Sequence, residues 1–222
     1  LIIKLPFFKK SKLPPIGLAC LFLLKIVAGI VYGYIHAHPP AHIGVTDTWK
    51  FFNESLPETN LLKYHPKIFF QDILFNSSTG LHPFSTQHNY WNNIKFTLMV
   101  KLAAIFNLFS LGNYYVNLIF YNFLCFFGVV LFYRQLRDKF IATEWALCIA
   151  FLIPSVLFWG SGFHKEGLIL SALYIVIYHV EKKTQKLHIK SMVLVAVFII
   201  ILLFLRLYVL VALLPAIISW IW

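Results

Sequence analysis

The chain has 222 residues and a formal charge of +11, with 60% hydrophobic, 18% aromatic and 12% charged residues. Soluble domains carry about 25% charged residues, so this composition excludes an ordinary soluble domain. The positive balance does not point to nucleic acid, because most Lys and Arg sit in short clusters beside apolar runs, where the positive-inside rule and anionic lipid place them.

The apolar runs set the fold class. A helix needs roughly 20 apolar residues to cross a bilayer, and barrel strands alternate over about 10 residues. These runs are long and continuous, so the expected fold is all-α: a polytopic helical membrane protein with about five to six spans and a large first extracytoplasmic loop. Residues 1–15 (LIIKLPFFKKSKLPP) form a basic N-terminal segment, and a single transmembrane domain is expected over 16–222. The first span, 16–35, contains Lys25. It is too long for a signal-peptide core, and no small-residue cleavage site follows it. Residues 36–93 are polar, hold six histidines and read as a loop with short helices at most. Residues 94–110 are apolar but carry Lys95, Lys101 and Asn107, and Leu111-Gly112-Asn113 is a turn signal. Spans are expected at 114–133, 143–160 and 164–180, separated by the loop RQLRDK, residues 134–139, and by the polar turn Ser161–Glu166. The loop EKKTQKLHIK, residues 181–190, precedes the run 191–222, which is too long for one untilted span and is expected to break near Arg206–Tyr208 or Pro215. The sequence starts at Leu1 rather than Met and stops at Trp222 inside an apolar run, so a piece of a longer protein is expected.

Orientation depends on 94–110. If this segment lies in the membrane interface, all three basic clusters fall on the cytoplasmic side, as the positive-inside rule favours. The N-terminus is then cytoplasmic, and the 36–93 loop and the 161–166 turn lie outside. Seven of the nine histidines and Asp47 share that outer side. The expected location is a bacterial inner (plasma) membrane.

Several residues could carry chemistry. Asp47 opens the stretch Asp47-Thr48-Trp49-Lys50-Phe51-Phe52 soon after the first span. Its plain alternative role, shared with Thr46, is to cap a short helix. Lys165-Glu166, beside His164, follows Pro154-Ser155, Trp159 and Ser161, and could equally be a solvated turn. Lys25 and Arg206 are intramembrane charges, which are expensive unless they face a polar partner or cavity; a partner for Lys25 is expected outside this stretch. His36, His38 and His42 are weak metal candidates, since imidazole suits zinc and copper but the spacing fits no standard zinc pattern. Cys20, Cys125 and Cys148 lie in apolar runs and read as small core residues. The sequons Asn53-Glu54-Ser55 and Asn76-Ser77-Ser78 are glycosylation sites only in a host that performs that reaction. No P-loop, GxSxG or HExxH pattern occurs.

The layout resembles the GT-C superfamily of membrane glycosyltransferases. The likeness rests on Asp47 soon after the first span, the long aromatic loop behind it, the amphipathic segment ahead of a span ending in Tyr133–Lys139, and the Pro154-Ser155 to Lys165-Glu166 stretch. The resemblance implies transfer of a sugar from a polyprenyl-phosphate or diphosphate carrier to an acceptor at the outer face. It implies Asp47 as general base, Glu166 as a second catalytic acid, and Lys165, Arg206, Trp49 and His164 as donor- or phosphate-binding residues. Some members bind a divalent metal ion and others do not, so that ion is the one cofactor the resemblance allows. The implied partners are a polyprenyl-linked sugar donor and membrane lipid. Rival readings are a polysaccharide polymerase or O-antigen ligase-like protein, a transporter or flippase, and a non-catalytic membrane subunit. A transporter predicts internal repeats, and none is visible.

Overall fold

The computed structural model describes residues 5–38, 46–71, 90–139, 143–183 and 189–221, and among them every regular element is helical. Contacts divide the chain into two compact units: Leu1–Tyr32 with Tyr121–Trp222, and Gly33–Phe120. The two long helices α2 (Pro15–Ala37) and α6 (Tyr114–Lys139) each contribute to both units.

Among the described residues, α2 and α6 are long and apolar enough to cross a membrane. A third span is present if a bent pair counts as one. In that pair α7 (Thr143–Leu147) runs into a π-helical turn at Cys148–Leu152, and α8 (Pro154–Ser161) follows at a bend of 44°. The bend has a local cause. Pro154 starts α8, and the proline ring pushes the preceding Ile153 out of the helical region, to φ −65° and ψ 115°.

Among the described residues, two or three of the five to six expected spans are thus met by length and apolarity. The helix α9 (Lys165–Lys183) carries Lys165, Glu166, Glu181, Lys182 and Lys183 at its ends. The last apolar run breaks at Arg206 into α10 (Ile189–Leu205) and α11 (Leu207–Ile221). Of the two expected break points, Arg206 is the one used; Pro215 lies inside α11.

In the first unit, Phe126, Val130, Tyr133 and Phe151 pack with Leu18 and Phe8. The basic N-terminal segment is therefore two-sided. Its α1 (Pro6–Lys9) buries Phe8 against Phe126, ring centroids 5.6 Å apart, while Lys9, Lys10 and Lys12 stay exposed. The helices α6 and α9 come into close contact at Gly128, where a Cβ would meet the Ser171 Cα at 2.6 Å. One turn on, Phe132 stacks on Tyr174 at 4.1 Å.

The second unit is built on α3 (Asp47–Tyr64), α4 (Pro66–Gln71) and α5 (Tyr90–Ser110). At 18 residues α3 exceeds the short helices expected in the 36–93 loop. The reason is a buried stripe, Thr48, Phe51, Phe52, Ser55 and Thr59, at helical spacing. It packs along α5, which begins four residues before the expected 94–110 segment. A polar ladder joins the two: Asn107 Nδ2 donates to Ser55 Oγ at 2.8 Å and Thr59 Oγ1 at 3.0 Å, and Asn117 Nδ2 donates to Asn107 Oδ1 at 2.6 Å. Lys101, 3% exposed, pairs with Glu58 at 2.6 Å and lies over the Phe69 ring. Asn107 and Lys101 of this apolar helix are thus turned onto α3, where both find partners.

Candidate functional site

The site begins with a turn that three helices hold in place. At the end of α8 the last carbonyls lack intrahelical donors, and a cation is favoured there by the helix dipole. Lys25, only 6% exposed on α2, supplies that cation. Its Nζ donates to the Gly160 carbonyl at 2.5 Å and to Ser161 Oγ at 3.2 Å. Asn122 Nδ2, on α6, donates to the Ser161 carbonyl at 2.8 Å. Tyr121, the residue before it, donates its hydroxyl to the His164 carbonyl and accepts the Leu168 N–H at 3.1 Å. Gly167 permits this closeness, since a Cβ there would meet Tyr121 Oη at 2.5 Å and the Gly160 carbonyl at 2.8 Å. Lys25 therefore finds its partners within this chain, in the 160–167 turn, and not outside the stretch as expected. Its burial follows from satisfied hydrogen bonds rather than snorkelling.

The turn delivers His164 and Glu166 to one end of α9. Glu166 Oε2 meets His164 Nδ1, and Glu166 Oε1 takes the Arg206 Nη2 at 2.6 Å. Arg206 stands in the break between α10 and α11, and its Nη1 donates to the Tyr208 hydroxyl. Glu166 is in the first turn of α9, ahead of the apolar part of that helix. Partial burial pushes its carboxyl up, but the His164 hydrogen bond and charge and the Arg206 guanidinium outweigh this and hold it below the usual range. An open groove of about 320 Å³ is lined here by Ser155, Trp159, Glu166, Arg206 and Tyr208 over apolar Ile169 and Leu170. Its volume suits a small-molecule or headgroup ligand. Chemically, the groove offers a guanidinium, a carboxylate, a phenol and an indole on an apolar floor.

The expected site residues divide between the units. Glu166, Arg206 and His164 come together in the first unit, whereas Lys165, next to them in sequence, does not line the groove. Asp47 and Trp49 belong to the second unit. Asp47 is exposed in the first turn of α3. Thr46 occupies the N-cap position without making a capping bond; its hydroxyl goes to the His36 carbonyl at 2.9 Å. Trp49 stacks on Tyr114 at 4.3 Å and donates its indole N–H to the Gly33 carbonyl at 3.1 Å, so its ring has a packing role. Among the described residues no three His, Cys, Asp or Glu gather as a metal site. His38 bonds to the Tyr34 carbonyl at 3.1 Å, and His42, like the second sequon, lies outside the described residues.

Sequence reasoning passed over Tyr121, Asn122 and Tyr208. Polar residues inside an apolar run were the available signal for the first two, and proximity to Arg206 for the third. Comparison with known proteins finds no family model, curated protein or solved structure that matches the chain.

Proposed function

We propose that the protein is a membrane glycosyltransferase that moves a sugar from a polyprenyl-phosphate carrier to an acceptor at the outer face of a bacterial inner membrane, in cell-envelope glycan assembly. One observation carries the reading: a turn fixed by Lys25, Tyr121 and Asn122 sets Glu166, with His164 behind it, beside Arg206 on the wall of an aromatic-lined groove. Fixed charge on an apolar floor matches a ligand with a phosphate at one end and hydrocarbon at the other. A phosphate leaving group needs positive charge beside it, and the planar Arg206 fork suits phosphate. Asp47 is the general base in this reading, an exposed carboxylate at a helix start. Lys165 adds a second cation near the turn. The helices long and apolar enough to cross a membrane support the membrane setting. The test is transfer of radiolabelled sugar from polyprenyl phosphate by membranes holding the chain. Wild-type membranes transfer label, and Arg206→Ala membranes with equal expression do not.

A further inference from the structure

The groove's charges answer one another in a way that assigns Glu166 a role other than acid–base chemistry. Arg206 spends one arm of its fork on Glu166 Oε1 and the other on the Tyr208 hydroxyl. Neither contact is the two-armed, in-plane pairing that a guanidinium makes with a single carboxylate or phosphate. Glu166, in turn, has a second partner: its other oxygen faces His164 Nδ1. If Arg206 turns away, Glu166 keeps an imidazole beside it. The His164 carbonyl is tied to Tyr121, so that imidazole is carried on a fixed backbone. Arg206 has the opposite freedom, standing at a helix break with roughly a third of its side chain exposed. The pair is part-exposed, where ion pairs are weak enough to exchange.

We propose that Glu166 is a resident counter-ion which the phosphate of a lipid headgroup displaces: Arg206 rotates from Glu166 to the phosphate, and Glu166 stays with His164. This rests on the reading of the groove as a site for a phosphate-bearing lipid, and adds that the site is held in competition by its own carboxylate. The ligand chemistry is a phosphate monoester or diester on a hydrocarbon chain, with Trp159 and Tyr208 beside the headgroup and Ile169 beneath it. A carboxylate left near an incoming phosphate also repels it. Removing the Glu166 charge therefore strengthens binding, whereas removal of a catalytic acid leaves affinity alone and lowers turnover.

The experiment measures Kd for isotope-labelled polyprenyl phosphate on the full chain in neutral detergent micelles, with inorganic phosphate and the uncharged polyprenol as competitors. Wild type, Arg206→Ala, Glu166→Gln and Glu166→Ala are compared after checking helix content by circular dichroism. The expected result is roughly tenfold weaker binding in Arg206→Ala and about fivefold tighter binding in both Glu166 variants, with neither competitor displacing the lipid. Unchanged or weaker binding in both Glu166 variants, with the Arg206 loss intact, overturns the counter-ion role and leaves the phosphate-lipid site standing. Absence of binding, or equal binding by wild type and Arg206→Ala, overturns the site itself. Displacement by inorganic phosphate at matched concentration overturns the lipid assignment in favour of a free anion.

Discussion

Lys25 donates to the carbonyl of Gly160 at 2.5 Å across 135 residues of chain. A buried ammonium on one apolar helix thereby terminates another, and the turn it holds carries His164 and Glu166. Replacing Lys25 with Met keeps the stem and removes the donor, leaving the Gly160 carbonyl and Ser161 hydroxyl unsatisfied. The expected loss is about 1–3 kcal/mol, read as a lower thermal midpoint in detergent. Lipid affinity should change with it, because the turn carries Glu166 into the groove beside Arg206.

Gly128 tests the packing of α6 on α9. A methyl group there would stand 2.6 Å from the Ser171 Cα, a backbone atom that cannot swing aside. Gly128→Ala should destabilise the first unit by about 1–3 kcal/mol, and Gly128→Leu should block folding. A thermal midpoint unchanged by Gly128→Ala would mean that the two helices are further apart.

Asn107 is the centre of the second unit's polar ladder, giving two hydrogen bonds and accepting one. Asn107→Ala should cost about 1–3 kcal/mol, whereas Asn53→Ala on the exposed side of α3 should be near neutral. A double-mutant cycle of Asn107 with Asn117 should give a coupling above about 0.5 kcal/mol. Additive effects would show that the 2.6 Å bond between them contributes nothing.

Glu166 gives a pH signature. Its folded-state pKa is depressed, so the stability it contributes is fully present above the unfolded value, about 4.3. That contribution is lost as pH falls through the lower folded value. Wild type should therefore lose part of its stability below about pH 4 that Glu166→Gln never had. Parallel stability–pH curves for the two proteins would show that the Arg206 and His164 contacts do not stabilise the carboxylate.

Much of the helical layout was legible. Long apolar runs marked α2 and α6, and Arg206 marked the break in the last run, because intramembrane charge acts locally; the bend at Pro154, inside an expected span, was not read from the sequence. The full length of α3 was less visible, since its stripe mixes Thr and Ser with Phe and looks polar until Asn107 is set against it. Among the described residues, charged ends in α9 and the break after α10 leave these helices with less apolar length than the spans expected there. The site was legible as a list and not as an arrangement. Arg206 and Glu166 were each marked by charge near apolar sequence, but their pairing joins residues 40 positions apart, and no local pattern specifies it. The roles of Tyr121 and Asn122 were hidden for the same reason: their acceptors lie 43 and 39 residues away.

The central claim is sugar transfer from a phosphate-linked lipid, and the most direct measurement is label transfer in membranes carrying the chain. Polyprenyl phosphates bearing different radiolabelled sugars are supplied in turn, and product is counted for wild type, Arg206→Ala and Asp47→Asn at matched expression. The account predicts transfer from at least one donor by wild type, and loss by a factor of at least about a hundred in Asp47→Asn, the scale of general-base catalysis. Loss in Arg206→Ala should also appear as weaker donor binding. Full transfer by Asp47→Asn would remove Asp47 as the base, and no transfer from any donor by wild type would contradict the glycosyltransferase reading itself.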